Sequence, residues 1–357
     1  MELNMSESTA TEPMTICSVV TKSHLALARV LARSVKAVHP SAQVYVLLAD
    51  RVDGYFDPAA EPFITVQLQD LGRQEFVERM SFYYTPLEFC CALHGLLHVY
   101  MWERTTSPAW IYLDSDIYVL SSMSEVMKAL RSASVLLNPH NSSPASPEFV
   151  ADTEVANLRD GLFNGGFLGV RRCEQSRPFV SWFTDRLGQF CFDGVRGLFV
   201  DQLWLNHVPQ YFRDVTIFTQ PGANLAHWNL YKRTLTRDAQ GRYLADGQPL
   251  MFVHFSGWNI EDPDAVSRHV TTYQNLQIPQ LNIWRELAQR YRAALLENGY
   301  ATVCQWPYAF SKFDDGTEIT WTMRRSYYQE ICTGRAPPTS PFARGQEFRK
   351  QSEGQAS

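Results

Sequence analysis

Short apolar runs alternate with helical periodicity through the first half of this chain, and that alternation leaves few architectures open. Met14 to Thr21 is an apolar run, His24, Leu25, Ala28, Leu31, Ala32 and Val35 follow at helical spacing, and Gln43 to Ala49 is a second run ending at Asp50. This is a βαβ beginning. Phe63 to Leu68 reads as a third strand, Pro86 to Trp102 as an apolar helix, Trp110 to Leu120 as the next strand, Ser122 to Leu130 as a helix and Ser134 to Asn138 as a strand. The expected fold is therefore α/β, an open and mainly parallel sheet with helices on both faces. Ligands of such sheets sit beyond the carboxyl ends of strands, where Thr21-Lys22 and Asp114-Ser115-Asp116 fall.

The second half has a different texture. Leu162 to Val170 and Pro249 to Phe255 read as strands, Ser176 to Phe190 and Val200 to Val208 as helices, and Arg237 to Gln248 as a hairpin with two glycine-centred turns. Leu281 to Glu297 is amphipathic, with Ile283, Leu287, Tyr291 and Leu295 at helical spacing. Residues 1–13 are polar and acidic, and the chain beyond Gly334 is rich in Pro, Ser, Gly, Gln and charge. Both ends are expected to be disordered. The expected division is a disordered N-terminus at 1–13, an α/β domain over 14–275, a helical appendage over 276–334 and a disordered tail at 335–357. No internal repeat is visible.

Of the 357 residues, 45% are hydrophobic and 19% charged, which suits a packed globular protein. A net charge of -5 offers no electrostatic case for a nucleic-acid partner. Seven cysteines, an odd number without a C-x-x-C pair, read as reduced core thiols. No secretory leader pattern is visible near Met1, and no apolar stretch approaches the ~18–20 residues that span a bilayer. A cytoplasmic protein without a transmembrane segment is expected, with peripheral membrane contact left open.

Four motifs carry the chemistry. In Trp110-Ile-Tyr-Leu-Asp114-Ser-Asp116, two carboxylates two residues apart close an apolar strand. Side chains at i and i+2 of an extended segment share a face, so Asp114 and Asp116 can address one divalent ion, and hard oxygen ligands favour Mg²⁺ or Mn²⁺. In Phe163-Asn164-Gly165-Gly166, the paired glycines mark a bulge or a close approach to the backbone, by a sugar ring with Asn164 addressing its hydroxyls. Asp201 and Gln202 open a helix, where Asp201 can cap and both can hold a polar ligand. His254 closes an apolar strand before Ser256-Gly257 and can add a neutral imidazole to the two carboxylates. Alone, these motifs read as a turn, a bulge, a cap and a core histidine; together in this order they read as a site.

That order, over about Thr15 to Trp258, resembles the GT-A nucleotide-sugar glycosyltransferases, especially retaining glycosyltransferase family 8 and its bacterial relatives. The resemblance implies a GT-A, Rossmann-like open mixed sheet and transfer of a hexose-type sugar from a nucleoside diphosphate sugar, usually UDP-linked, with retention of configuration. It implies Mn²⁺ (or Mg²⁺) held by Asp114, Asp116 and His254, with Asp114 also near the ribose. Thr21, Lys22 and Ser23 would hold the nucleoside, Asn164, Gly165, Gly166 and Gly257 would line the donor pocket, and Asp201 and Gln202 would face the reacting carbon. The acceptor class implied is a glycan, lipid-linked glycan or other hydroxyl compound in bacterial polysaccharide synthesis.

Two departures stand out. The family's lysine six residues after the motif histidine is Ile260 here, leaving Arg268 or Lys232 to support the leaving diphosphate. The basic residue expected on the helix before the Asp-x-Asp strand is replaced by His94. Trp204, Trp228, Tyr231 and Trp258 are candidates for stacking on sugars or for core packing, and Asn224 to Asn229 suits the acceptor side. Two other readings compete: a nucleotide-sugar-binding scaffold without activity, and a haloacid dehalogenase-like phosphohydrolase. Against the second, Tyr118 stands where that group has Thr or Val, and its Asp-x-Asp normally lies near the N-terminus.

Overall fold

A computed structural model describes residues 14–355, apart from 195, 271 and 277. Residues 1–13, expected to be disordered, lie outside the described residues. The chain opens with β1 (Thr15–Val20), α1 (Leu25–Val38), β2 (Gln43–Leu48) and β3 (Ile64–Val66), then α2 (Gln74–Tyr83), α3 (Pro86–Arg104) and β4 (Ala109–Leu113). It continues through β5 (Ile117–Val119), α4 (Ser124–Leu130), β6 (Val135–Pro139), α5 (Ala156–Asp160), β7 (Phe163–Arg171) and α6 (Arg177–Phe190). A small hairpin, β8 (Phe192–Asp193) and β9 (Leu198–Phe199), precedes α7 (Gln202–Leu205), α8 (Val208–Tyr211) and β10 (Val215–Ile217). Then come β11 (Leu235–Arg237), β12 (Tyr243–Ala245), β13 (Gln248–Pro249) and β14 (Phe252–His254), with α9 (Gln280–Glu297), α10 (Tyr300–Val303), α11 (Trp321–Cys332) and α12 (Gly345–Gln355) closing the chain.

The central sheet has seven strands in the order β10-β6-β7-β4-β1-β2-β3. Its pairs are parallel except where β7 runs antiparallel between β4 and β6. This is the open mixed α/β sheet expected from the sequence. Every residue of β1 is buried, as a central strand covered on both faces requires. One face packs against α3 and α6, the other against α1 and α4. A third apolar cluster joins α1, β14 and α9 through Ala26, Val30, Phe255, Trp284 and Leu287. The expected boundary at 275 therefore falls inside a shared core. Burial also keeps the Cys17 and Cys90 thiols protonated: it raises the Cys17 pKa and pushes that of Cys90 up to about 12.

Several elements differ from the sequence expectation. Trp110 to Leu120 is two strands, with a turn closed by the Ile117 N–H donating to Asp114 O (3.1 Å). The expected helix from Val200 to Val208 is divided into α7 and α8, the second beginning with Pro209 in its first turn. The tail expected to be disordered carries α12 and buries Phe342 and Phe348 among the aromatics around Phe82. Its polar composition hides these two anchors. Among the described residues, no helix is long and apolar enough to cross a membrane.

Candidate active site

β5 leaves the main sheet and pairs antiparallel with β14, setting His254 opposite Ile117, and the Phe255 N–H donates to Asp116 O (3.0 Å). Two segments far apart in sequence thus carry the two carboxylates and the imidazole to one point. His254 Nε2 lies 3.0 Å from Asp116 Oδ1 and 3.6 Å from Asp114 Oδ2, and the three ligand atoms fall within 4.8 Å of one another. The Asp114 and Asp116 side chains are 36% and 26% exposed, while that of His254 is 3% exposed. The cluster is floored by protein and open on one edge. The aspartates meet through a turn, not along a continuous strand as their i, i+2 spacing suggested.

Burial raises the Asp114 carboxyl above the usual carboxylate range; His254 pulls it back and Asp116 pushes it further up. Burial also works against ionised Asp116, but His254 outweighs it and holds Asp116 below that range. For His254, burial disfavours the imidazolium, yet the two carboxylates keep its pKa above the ordinary histidine value. The raised His254 value reflects negative charge that favours a cation here. Asp116 Oδ1 is buried, with His254 Nε2 beside it. A Cβ on Gly166 would lie 2.5 Å from both Asp114 Oδ2 and His254 Cε1, so the bare strand leaves room for the ligands themselves. Two carboxylates and one imidazole fit a divalent cation.

A second polar chain approaches from α3. The Tyr112 hydroxyl donates to Asp114 Oδ1 (2.7 Å) and also meets His94 Nε2 (2.5 Å), while His94 Nδ1 lies 3.0 Å from Asp201 Oδ2. Asp201 is 4% exposed and makes no side-chain capping bond; its carboxylate turns towards His94 instead. A Cβ on Gly165 would stand 2.6 Å from Asp201 Oδ2. The paired glycines of β7 therefore admit protein side chains, Asp201 beside Gly165 and the Asp114–His254 pair beside Gly166, where a sugar ring had been expected. Gln202 is half-buried, and its Oε1 accepts from the Gly165 N–H (3.4 Å).

Other expected site residues lie elsewhere or are already committed. Lys22, expected at the nucleoside, is buried, its ammonium bound to Asp50 Oδ1 (3.4 Å), Arg51 O (3.2 Å) and Asp53 Oδ2 (3.1 Å), where it holds the end of β2. Thr21 and Ser23 hydrogen-bond His24 Nδ1 at 2.8 and 3.0 Å, and the His24 ring senses the charge of Asp116. Asn164 is 5% exposed, with its amide bonded to His140 and Asn224. Gly257, at φ 67°, takes the Arg268 N–H on its carbonyl (2.9 Å), and its own Cβ position is filled by the His269 ring. Ile260 is buried, and Lys232 is bound to Ser143. Trp228 is 4% exposed and meets the His140, His227 and His254 rings edge-on; Tyr231 stacks on Phe149, and Trp204 and Trp258 donate to Phe190 O and Pro263 O. Within the stretch expected on the acceptor side, Asn224, Ala226, Trp228 and Asn229 are buried. Tyr112 was legible as a participant, since it shares a strand face with Asp114; Asn138, His140 and Asn224 carry no local signal.

No protein-family model matches the chain. Two proteins of Bacillus subtilis (strain 168), each described only as uncharacterized, are similar in sequence. YfnF is 23% identical over 271 residues, 73% of this chain and 87% of that protein. YfnD is 28% identical over 201 residues, 55% of this chain and 61% of that protein. Solved glycosyltransferases are among the structures similar to this chain. The galactosyltransferase LgtC, in complex with donor and acceptor sugar analogs, has 16% identity and a TM-score of 0.48, over 78% of this chain and 96% of its own. The glycosyltransferase GlyE of Streptococcus pneumoniae TIGR4 has 11% identity and a TM-score of 0.45, over 84% of this chain and 66% of its own.

Proposed function

We propose that this chain is a metal-dependent glycosyltransferase that moves a hexose-type sugar from a UDP-sugar to a hydroxyl acceptor, a glycan or lipid-linked glycan, with retention of configuration. The observation that carries the reading is the convergence of one ligand atom each from Asp114, Asp116 and His254 within 4.8 Å of one another. Mn²⁺ or Mg²⁺ held by these three residues supplies Lewis-acid stabilisation of the charge that develops on the departing diphosphate. The sugar's C1–O bond to the diphosphate breaks, the acceptor oxygen bonds to C1, and the acceptor's proton passes to the leaving phosphate. In this reading Gln202, half-buried beside Gly165, faces the reacting carbon. Buried Asp201 orients His94 and, through Tyr112, Asp114. The Thr21–Ser23–His24 turn faces the nucleoside.

The arginine next to Gly257 is the better candidate for the diphosphate: Arg268 is exposed, and its backbone is tied to Gly257, whereas Lys232 is tied to Ser143. Arg268→Ala is expected to lower turnover about 10²-fold, as loss of one donor to a developing oxyanion does, and Lys232→Ala to leave it nearly unchanged. Steady-state rates of nucleoside diphosphate release check this. Gly166→Ala is expected to weaken Mn²⁺ binding at least about tenfold by forcing Asp114 and His254 apart, as read by isothermal titration calorimetry.

The reading is tested with a panel of UDP-, GDP- and dTDP-sugars, scoring nucleoside diphosphate release with Mn²⁺ and with EDTA. Release from a UDP-sugar that EDTA abolishes supports it, and NMR of the first product then shows whether the anomer is retained. No release and no metal-dependent nucleotide binding overturns it. Metal-dependent binding without turnover, over a range of hydroxyl acceptors, favours the scaffold.

A further inference from the structure

His254 has two ring nitrogens, and only a tautomer with the proton on Nδ1 offers the Nε2 lone pair to the carboxylates. The hydrogen bonds behind the ring impose that tautomer, starting from two backbone carbonyls. The first is Gly161 O, 3.0 Å from His140 Nδ1; a carbonyl can only accept, so Nδ1 carries the proton. Burial lowers the His140 pKa to about 4, so the ring is neutral and its Nε2 accepts from Asn164 Nδ2 (3.3 Å). Asn164 Oδ1 then accepts from Asn224 Nδ2 (3.0 Å). The second anchor is Phe218 O, which accepts from Asn138 Nδ2 (2.7 Å) and so turns Asn138 Oδ1 towards the same Asn224 Nδ2 (3.0 Å). With both Asn224 amide protons directed to acceptors, its Oδ1 faces His254 Nδ1 at 3.3 Å and can only accept.

We infer that Asn224 is a positioning residue for the third metal ligand, transmitting the polarity of Gly161 O and Phe218 O to His254 so that Nε2 is presented unprotonated to the cation. The inference rests on the metal-site reading of Asp114, Asp116 and His254. Asn224 is fully buried at φ 54°, a left-handed backbone that asparagine tolerates, and its carbonyl accepts from Asn229 Nδ2 (3.0 Å). The neighbouring backbone pairs with β14, the His254 N–H donating to Leu225 O (2.8 Å). Asn224 and its neighbour Leu225 thereby fix the polarity of the imidazole and the height of the ligand strand, respectively. Partners of this kind behind metal-ligating histidines govern affinity.

The test is a double-mutant cycle on Mn²⁺ binding by the full chain with UDP present. Asn224→Gly removes the amide while keeping the left-handed backbone accessible. It is expected to weaken Mn²⁺ about 10–100-fold and to reduce the histidine ¹⁴N coupling in the electron spin-echo spectrum of bound Mn²⁺. Made on top of His254→Ala, it should cost nothing further, because its effect passes through that ring. Asn138→Ala, which removes one of the two acceptors orienting the amide, should give a smaller loss in the same direction and serves if Asn224→Gly does not fold. Unchanged affinity in both single variants, or an equal further loss in the His254→Ala background, overturns the inference while leaving the metal site standing. No Mn²⁺ bound by the unsubstituted chain overturns the metal reading and the inference with it.

Discussion

Asp116→Ala is expected to abolish measurable Mn²⁺ binding and to reduce sugar transfer by about 10³-fold or more, with the far-ultraviolet circular dichroism unchanged. The carboxylate supplies Oδ1, a buried oxygen that faces the cluster itself. Its partner atom is His254 Nε2 at 3.0 Å, and Asp114 Oδ2 is farther away at 3.6 Å from the same nitrogen. Removing Asp116 leaves one carboxylate and one imidazole, too few ligands to hold a hard cation against water. Electrostatic stabilisation of the departing group is usually the largest catalytic term, and losing a single such donor already costs about 10²–10³-fold. Calorimetry with Mn²⁺ and rates with the best donor read the two losses separately. Retained Mn²⁺ affinity would sink the assignment of Asp116 as a ligand.

The same side chain shows why part of the site was legible in the sequence. Asp114, Asp116 and His254 announce themselves because ionisable groups ending apolar strands are costly unless something compensates them. The strand alternation likewise foretold the sheet, since hydrophobic periodicity is local. What was not legible depends on partners distant in sequence. Asp201 has the local look of a helix cap, and only the packing of α7 against β7 and α3 reveals that it faces His94. Lys22 lies at the right strand end for a nucleotide, yet Asp50 and Asp53, on the neighbouring strand's exit, claim its ammonium. Asn224 sits in a stretch that reads as a loop, and its function exists only through Asn138, Asn164 and His254. The anchoring of α2 has no local signal either, because Phe82 and Tyr83 meet aromatics from the chain's last third.

Those last-third residues set the second large effect. Arg324, on α11, is 4% exposed, and its guanidinium donates to Ser81 O, Phe82 O and Tyr84 O at 3.2, 2.5 and 3.0 Å and to Phe310 O at 2.6 Å. The first three carbonyls lie at the carboxyl end of α2, where unsatisfied acceptors and the helix dipole both favour a cation. Burial lowers the Arg324 pKa, but arginine's intrinsic basicity keeps it charged. Its neighbour Arg325 grips Glu88 in the first turn of α3 with contacts of 2.5 and 2.6 Å, so α11 clamps the α2–α3 junction twice. Arg324→Met leaves four buried carbonyls without donors and is expected to destabilise the chain by about 3–5 kcal/mol, in the range measured when one side of a buried charged contact is removed. At about 2–4 °C per kcal/mol for chains of 150–250 residues, that is a fall of several degrees or more in Tm. Arg324→Lys should recover only part of it, because an ammonium cannot reproduce the planar fork. None of Arg324's partners touches Asp114, Asp116 or His254, so Mn²⁺ affinity below the transition should be unchanged. Thermal unfolding paired with calorimetry reads both, and a full-stability Arg324→Met chain would show that the appendage is held by its aromatics alone.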